Sequence, residues 1–210
     1  MNDLQILTNS SLTTYRTCPR KYQLRYEQGY VPAEEKEALF FGKLFHAGLE
    51  TWGKTGDISA AILTVNTIIN ESVEQNHFLR VMAVALLEGY DKRYQHDEFE
   101  TVEVEKEYRA PLLNPDTGAE SRTFILAGVI DGIVRKRSSG RTYIKETKTT
   151  SEPIGPASDY WTKLLMDSQV SGYYVGAEAS GITVESCIYD VIGKPTIRPY
   201  KATPMENRKY

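Results

Sequence analysis

One segment, Phe124–Val134, constrains the fold more than any other part of the chain. It reads Phe-Ile-Leu-Ala-Gly-Val-Ile-Asp-Gly-Ile-Val, which is apolar on both faces of a strand except at Asp131. Such a run is typical of a central strand that is covered on both sides. Because a lone buried carboxylate is unfavourable by several kcal/mol, the acid predicts a neighbouring cation or metal ion.

The next strand-like segment is Thr142–Thr149, separated from the first by the turn sequence Arg-Ser-Ser-Gly. We expect the two to form a hairpin. Depending on which two residues form the turn, Asp131 lies opposite Glu146 or opposite Lys148. Both registers place the three side chains on the same face of the sheet, because side chains alternate along a strand with period two.

These three side chains suggest a chemistry. Two carboxylates on neighbouring strands repel each other unless a cation joins them. Oxygen ligands suit Mg²⁺ or Mn²⁺, and Lys148 can orient or deprotonate a water molecule or stabilise charge on a phosphate. A Glu-x-Lys tripeptide alone is common on surface hairpins. Together with Asp131, Glu146 and Lys148 favour a catalytic site that cuts phosphodiester bonds with a metal ion.

His46 is the candidate for a further metal ligand. The segment from Ala38 to Trp52 has the apolar spacing of a helix, and Gly42, His46 and Glu50 follow at i, i+4 and i+8 along its edge. Gly42 would allow close backbone approach one turn before the histidine. A single helical histidine is more often a surface or core residue, so this assignment depends on the other motifs.

A long helix is predicted over Tyr160–Ala179, and it carries Gln169 and Tyr173 at i, i+4. The amide could bind a phosphate or a base, and the phenol could stack on a base or hydrogen-bond to it. Both residues could equally be the polar flank of an apolar helix stripe.

The distribution of charge is more informative than the net charge of −3. The first predicted helix combines basic and aromatic residues without an acid from residue 16 to residue 25. They are Arg16, Arg20, Lys21 and Arg25, interleaved with Tyr15, Tyr22 and Tyr26. A mildly acidic protein can present such a local basic path to phosphates.

The periodicity of the chain changes from helical to strand-like near Thr101. Before that point we expect a first helix that begins at Ser10 or Ser11 and is divided at Pro19. A second helix should end at Gly53 or Gly56. We expect one domain over residues 1–210, with residues 57–97 as a helical insertion and closing strands at 184–192 and 196–200. The order of elements predicts an α/β or α+β sandwich.

The cysteine content and the lack of recognisable targeting signals predict a cytoplasmic location. Cys18 and Cys187 cannot form a disulfide framework. The first residues lack the basic and apolar regions of a signal peptide, and no apolar run approaches about 18 residues. We expect a cytoplasmic protein of a cell or a phage-infected cell, with no membrane association.

The motifs, taken in order, resemble the PD-(D/E)XK nuclease superfamily, specifically its RecB/AddB-type branch, which includes CRISPR-associated exonucleases. The branch shows G-x-x-x-H on a helix, a G-[VI]-x-D strand, a [DE]-x-K strand and a Q-x-x-x-Y helix. An S-x-x-x-Y-x-x-C-P-x-[KR]-[FY] sequence opens it. Here these are Gly42–His46, Gly128–Asp131, Glu146–Lys148, Gln169–Tyr173 and Ser11–Tyr22.

The resemblance implies a restriction-endonuclease-like core, in which helices flank a central mixed β-sheet, with an N-terminal helical portion. It also implies divalent-metal-dependent DNA cleavage. By position, His46, Asp131, Glu146 and the backbone carbonyl of Thr147 would bind Mg²⁺ or Mn²⁺. Lys148 would be the catalytic lysine beside the catalytic acids Asp131 and Glu146. Gln169 and Tyr173 would contact DNA, together with the basic side chains Arg16, Arg20, Lys21 and Arg25.

Several members of the branch hold an iron–sulfur cluster with four cysteines, three of them near the C-terminus. Cys18 matches the first of these positions, but only Cys187 follows it. Because a cluster needs four ligands, we expect none in this chain.

Three functions are compatible with these motifs. The first is a metal-dependent deoxyribonuclease, more specifically an exonuclease acting on single strands or duplex ends, in repair, recombination or a phage. The second is a DNA-binding or scaffolding subunit with a vestigial site, acting beside a helicase or recombinase. The third is an RNA nuclease or tRNA-processing enzyme on the same scaffold. The complete set of His46, Asp131, Glu146 and Lys148 favours the first.

Overall fold

The computed structural model describes residues 4–72 and 76–195. Its helices are α1 (Asn9–Thr17), α2 (Pro19–Tyr22), α3 (Glu37–Thr55), α4 (Ile58–Glu71), α5 (His77–Tyr94), α6 (Asp159–Leu164) and α7 (Gln169–Ala179), and a π-helical turn, Gln23–Glu27, follows α2. Its strands are β1 (Gln5–Leu7), β2 (Phe99–Leu113), β3 (Glu120–Lys136), β4 (Thr142–Thr150) and β5 (Cys187–Gly193).

β3 is the central strand of one mixed sheet. β2 pairs antiparallel along one edge of β3. The other edge is shared by β1, which pairs parallel near Ile125, and β4, which pairs antiparallel near Ile133. β5 extends the sheet parallel to β4. The predicted α/β class and the restriction-endonuclease-like arrangement are confirmed. The three-residue strand β1, too short to show a period, was not predicted.

Helices cover both faces of the sheet. On one face α3 packs against β2, and a Cβ atom at Gly53 would lie 2.8 Å from a methyl group of Val104. On the other face Tyr108 of β2 fits between β3 and α7, because Gly128 and Gly176 leave room for its ring. A separate core joins α3, α4 and α5, and its largest buried members are Phe41, Leu44, Phe45, Val65, Ile69 and Leu87.

The N-terminal helix is divided at Pro19, as predicted. Its capping differs, because Thr8 is the N-cap and Ser11 is the third helical residue. The Ser11 N–H donates to the Thr8 hydroxyl at 3.1 Å, and the Thr8 N–H donates to the Ser11 hydroxyl at 2.9 Å. This reciprocal pair is a capping box.

α3 continues through Gly53 and ends at Gly56, which has a left-handed backbone (φ +67°). Gly53 therefore allows α3 to pack closely on β2. The helix ends at Gly56, whose left-handed backbone favours glycine. The predicted long helix Tyr160–Ala179 is wrong, since α6 and α7 are separated by an irregular turn. In that turn the Asp167 carboxylate accepts the Gln169 N–H at 2.8 Å and fixes the start of α7.

The closing strand predicted at 184–192 is observed as β5, whereas the one predicted at 196–200 lies outside the described residues. None of the described helices has both the length and the apolar character needed to cross a membrane.

Candidate active site

The register of β3 and β4 decides between the two predicted hairpins. Ile133 pairs with Ile144 and Gly132 with Lys145, which is the register that sets Asp131 opposite Glu146. The strands stop pairing at Gly132, so Asp131 lies at the point where β3 and β4 separate.

Side chains do not alternate regularly through this point. Ile130 and Ile133 both pack in the core formed with α7, although they are an odd number of residues apart. Asp131 and Gly132 therefore both face α3, and they line a pocket on that side. The expectation that simple alternation puts the three candidate catalytic side chains on one face is wrong. The Asp131 carboxyl instead occupies the gap between the strands.

Asp131 is anchored in this gap by two neighbours. Its Oδ2 accepts a hydrogen bond from the backbone N–H of Thr147 at 3.1 Å. The same oxygen lies 3.6 Å from Nδ1 of His46 on α3. Burial raises the pKa of the Asp131 carboxyl, and the Thr147 N–H opposes that shift.

Glu146 is fully buried on β4, between the gap and α7. Among the described residues, neither of its oxygens has a hydrogen-bond partner of regular geometry, although the Lys148 ammonium touches Oε1. Burial, and then the charge of Asp131, raise the pKa of Glu146 to about 7. A buried acid beside a second acid is stabilised by positive charge, of which Lys148 supplies one unit.

Glu105 of β2 joins the site and was not predicted. One ligand atom each from His46, Glu105 and Asp131 lies within 4.8 Å of the others. Burial, and then Asp131, raise the pKa of Glu105 to about 7. The segment around it contains four other glutamates, at positions 98, 100, 103 and 107, so the sequence offers no signal that singles out Glu105.

His46 enters the pocket from α3 and is partly buried. Burial, and then the nearby Lys148 ammonium, lower the pKa of the imidazole, so its neutral form is favoured. A neutral imidazole is the form that binds a metal ion. Glu50 also lines the pocket, and its carboxylate pairs with Lys54 at 2.5 Å. The expected close approach at Gly42 is absent, because a Cβ atom there would have no described atom within 4 Å.

Gln169 and Tyr173 form a connected pair behind Glu146. The Gln169 amide donates to the Tyr173 hydroxyl at 2.6 Å. Tyr173 is only 3% exposed, and its phenol lies next to the Glu146 carboxyl. Its buried ring cannot stack on a base, so that part of the prediction is wrong.

The four predicted phosphate-binding residues are all exposed. Arg16 reaches the start of α7, where it donates to the Ser168 hydroxyl at 3.3 Å. Arg20 donates to the Gln23 side chain at 2.6 Å, and the Arg25 guanidinium lies over the ring of Tyr26. Lys21 lies beside Arg20 on α2.

The donor set fits a divalent cation. His46, Glu105 and Asp131 combine one imidazole with two carboxylates, and the fully buried Glu146 carboxyl lies next to Asp131. Oxygen-rich sites with one histidine suit Mg²⁺, Mn²⁺ and related ions. The two cysteines are free and lie in separate elements, Cys18 before α2 and Cys187 in β5.

One comparison with known proteins identifies the family of this chain. A profile of the PD-(D/E)XK nuclease superfamily matches residues 6–206. No curated protein matches the chain. The crystal structure of a protein called SSO0001 is 14% identical, with a TM-score of 0.29, over 81% of this chain and 69% of that one. The chain thus belongs to the PD-(D/E)XK nuclease superfamily, whose members are metal-dependent nucleases.

Proposed function

We propose that this protein hydrolyses phosphodiester bonds of DNA with Mg²⁺ or Mn²⁺ held at the gap between β3 and β4. One observation carries the proposal. Glu146 is fully buried, its oxygens lack regular hydrogen bonds among the described residues, and the second acid, Asp131, lies beside it. Lys148 supplies a single positive charge to these two acids and to Glu105, so a divalent cation would stabilise the ionised site further.

His46, Glu105, Asp131, Glu146 and the carbonyl of Thr147 would hold the ion. When bound, such an ion activates water and neutralises charge on the phosphate. The Thr147 N–H orients Asp131, and the lowered pKa of His46 favours its neutral imidazole.

Lys148 is the remaining chemical group. Its ammonium touches Glu146 and is about one-third exposed, so it can also reach a phosphate that enters from solvent. From this position it can orient the attacking water or stabilise charge on the phosphate oxygens. Gln169 and Tyr173 position Glu146 from behind.

For the substrate we infer single-stranded DNA or duplex ends, cut as an exonuclease of the RecB/AddB type. The ordered motifs from Ser11 to Tyr173 support that branch. The exposed cations Arg16, Arg20, Lys21 and Arg25 support contact with the sugar–phosphate backbone, which carries no sequence information. An action beside a helicase or recombinase would suit the same substrates.

The test uses end-labelled single-stranded DNA, duplex DNA and RNA of matched sequence, with Mg²⁺, with Mn²⁺ and with a chelator. We expect metal-dependent loss of labelled DNA, no cleavage by Asp131→Asn or Glu146→Gln, and circular dichroism spectra like that of the wild type. Cleavage that survives in either variant would remove the proposed chemistry. Binding without cleavage by the wild type would favour the scaffolding function, and preference for RNA would favour an RNA nuclease.

A further inference from the structure

The turn between α6 and α7 carries two adjacent apolar side chains, Leu165 and Met166, each 85% exposed. Of the large apolar side chains that the structure describes, these are the most exposed. Scattered exposed apolar residues are ordinary, but an adjacent pair on a projecting turn marks a contact surface.

This turn borders a cleft that is lined by two cationic side chains and two hydroxyl groups, which are groups that bind phosphate. The cleft has a volume of about 390 Å³, and its lining includes Met166, Arg16, Lys163, Thr13, Asn9 and Gln169. Asp167 also lines it, but its carboxylate accepts the Gln169 N–H. Lys163 pairs with Glu152 at 2.6 Å, and both groups are more than half exposed, so a phosphate can compete for the ammonium.

Hydrogen bonds connect this cleft to the active site. Gln169 lines the cleft and donates to Tyr173, whose phenol lies against Glu146. At the cleft, Arg16 donates to Ser168, which donates to Asn9 at 2.8 Å. These hydrogen bonds link α1 and the start of α7, and through Tyr173 they reach the proposed ligand Glu146.

We propose that Leu165 and Met166 form a wedge that contacts unstacked nucleobases of a strand whose phosphates lie in the adjacent cleft. The proposal rests on the proposed nuclease function and adds a substrate requirement to it. Apolar side chains that insert between bases stabilise an unstacked strand. The cations of the adjacent cleft would hold the phosphates of the same nucleotides. Single strands and frayed ends would then be preferred over intact duplex.

The test compares the double variant Leu165→Ser/Met166→Ser with Leu63→Ser, a matched change at a side chain that is 66% exposed on α4. A second double variant, Leu165→Phe/Met166→Leu, keeps the apolar surface. Binding is measured by fluorescence anisotropy in Ca²⁺ on single-stranded DNA, with 2-aminopurine placed at successive nucleotides from the end to report unstacking. Cleavage of the same strands is measured in Mn²⁺.

We expect binding by the wild type to increase 2-aminopurine emission. The serine double variant should lose that increase and about tenfold in affinity, whereas Leu63→Ser and the apolar double variant should keep both. Equal emission and equal affinity in the serine double variant, with cleavage intact, would overturn the wedge and leave the nuclease function standing. Absence of both binding and cleavage in the wild type would overturn the two together.

Discussion

Glu105 lies opposite Asp131 in the sheet, and among the non-glycine residues that the structure describes it alone has a positive φ (+49°). On either side of it Lys106 pairs with Ile130 and Val104 pairs with Gly132. A left-handed backbone is unfavourable for a residue that carries a Cβ atom. This local strain directs the Glu105 carboxylate into the pocket that contains His46 and Asp131.

Replacing Glu105 by glutamine should therefore weaken metal binding. We expect the affinity for Mn²⁺ to fall about tenfold or more, because one carboxylate ligand becomes a neutral amide. Glu107→Gln is the matched control, since that side chain is exposed two residues further along the same strand. Isothermal titration calorimetry measures both, and equal affinities in the two variants would exclude Glu105 from the site.

Some of the site was predictable from the sequence and some was not. Asp131 was identifiable because an acid in an apolar strand is unfavourable without a cation, and Glu146 and Lys148 followed from the hairpin. Glu105 could not be singled out, because in a regular strand Glu103, Glu105 and Glu107 would all lie on one face and no pattern distinguishes them. Its role depends on a left-handed backbone at a residue other than glycine, which no residue pattern predicts.

The fold, like the site, could be predicted only in part. The central position of β3 followed from its apolar run, which reports burial on both faces. The break between α6 and α7 was missed because Leu164, Leu165 and Val175 continue a helical apolar spacing across it. Leu165 is in fact exposed, so apolar spacing there does not report a buried face.

In metal-free buffer, stability should fall as the pH rises. The pKa of Glu146 is about 7 in the folded protein and 4.5 ordinarily, so between these values the folded state holds a proton that the unfolded state has lost. The free energy of unfolding should then decrease by about 2 to 3 kcal/mol from pH 4.5 to pH 7 and level off above.

Thermal unfolding in a chelator at pH 5, 6, 7 and 8 measures this loss. Mn²⁺ should reduce it, because the cation compensates the ionised acids. Glu146→Gln should show a smaller decrease than the wild type, since it removes the titrating group. A wild-type midpoint that rises across this range would contradict the assignment.

His46 should determine which metal ions bind well. Imidazole suits Ni²⁺, whereas Mg²⁺ prefers oxygen ligands. We expect His46→Ala to lower the affinity for Ni²⁺ by about tenfold or more and to change Mg²⁺ affinity by less than about threefold. His96→Ala is the control, because that histidine is exposed beyond α5. Equal losses for both ions would indicate that His46 acts through folding.

Two glycine-to-alanine changes should have opposite effects on stability. A Cβ atom at Gly176 would lie 2.4 Å from the Tyr108 ring, so Gly176→Ala should destabilise the protein by about 1 to 3 kcal/mol. Gly42 lies within α3 with no described atom in 4 Å of such a Cβ. Gly42→Ala should therefore stabilise the protein by about 0.5 to 1 kcal/mol. Urea unfolding measures both, and destabilisation by Gly42→Ala would restore the predicted close approach before His46.

Tyr173 should act on the rate of cleavage and not on DNA binding. Its phenol accepts the Gln169 amide and lies against Glu146, while its ring is buried. Tyr173→Phe removes only the hydroxyl, so we expect kcat to fall about tenfold, with KM and DNA affinity nearly unchanged. Tyr174→Phe is the matched control, because the neighbouring tyrosine on α7 is 38% exposed. Weaker DNA binding in Tyr173→Phe with an unchanged kcat would mean that the phenol contacts the substrate directly, which requires α7 to move and uncover it.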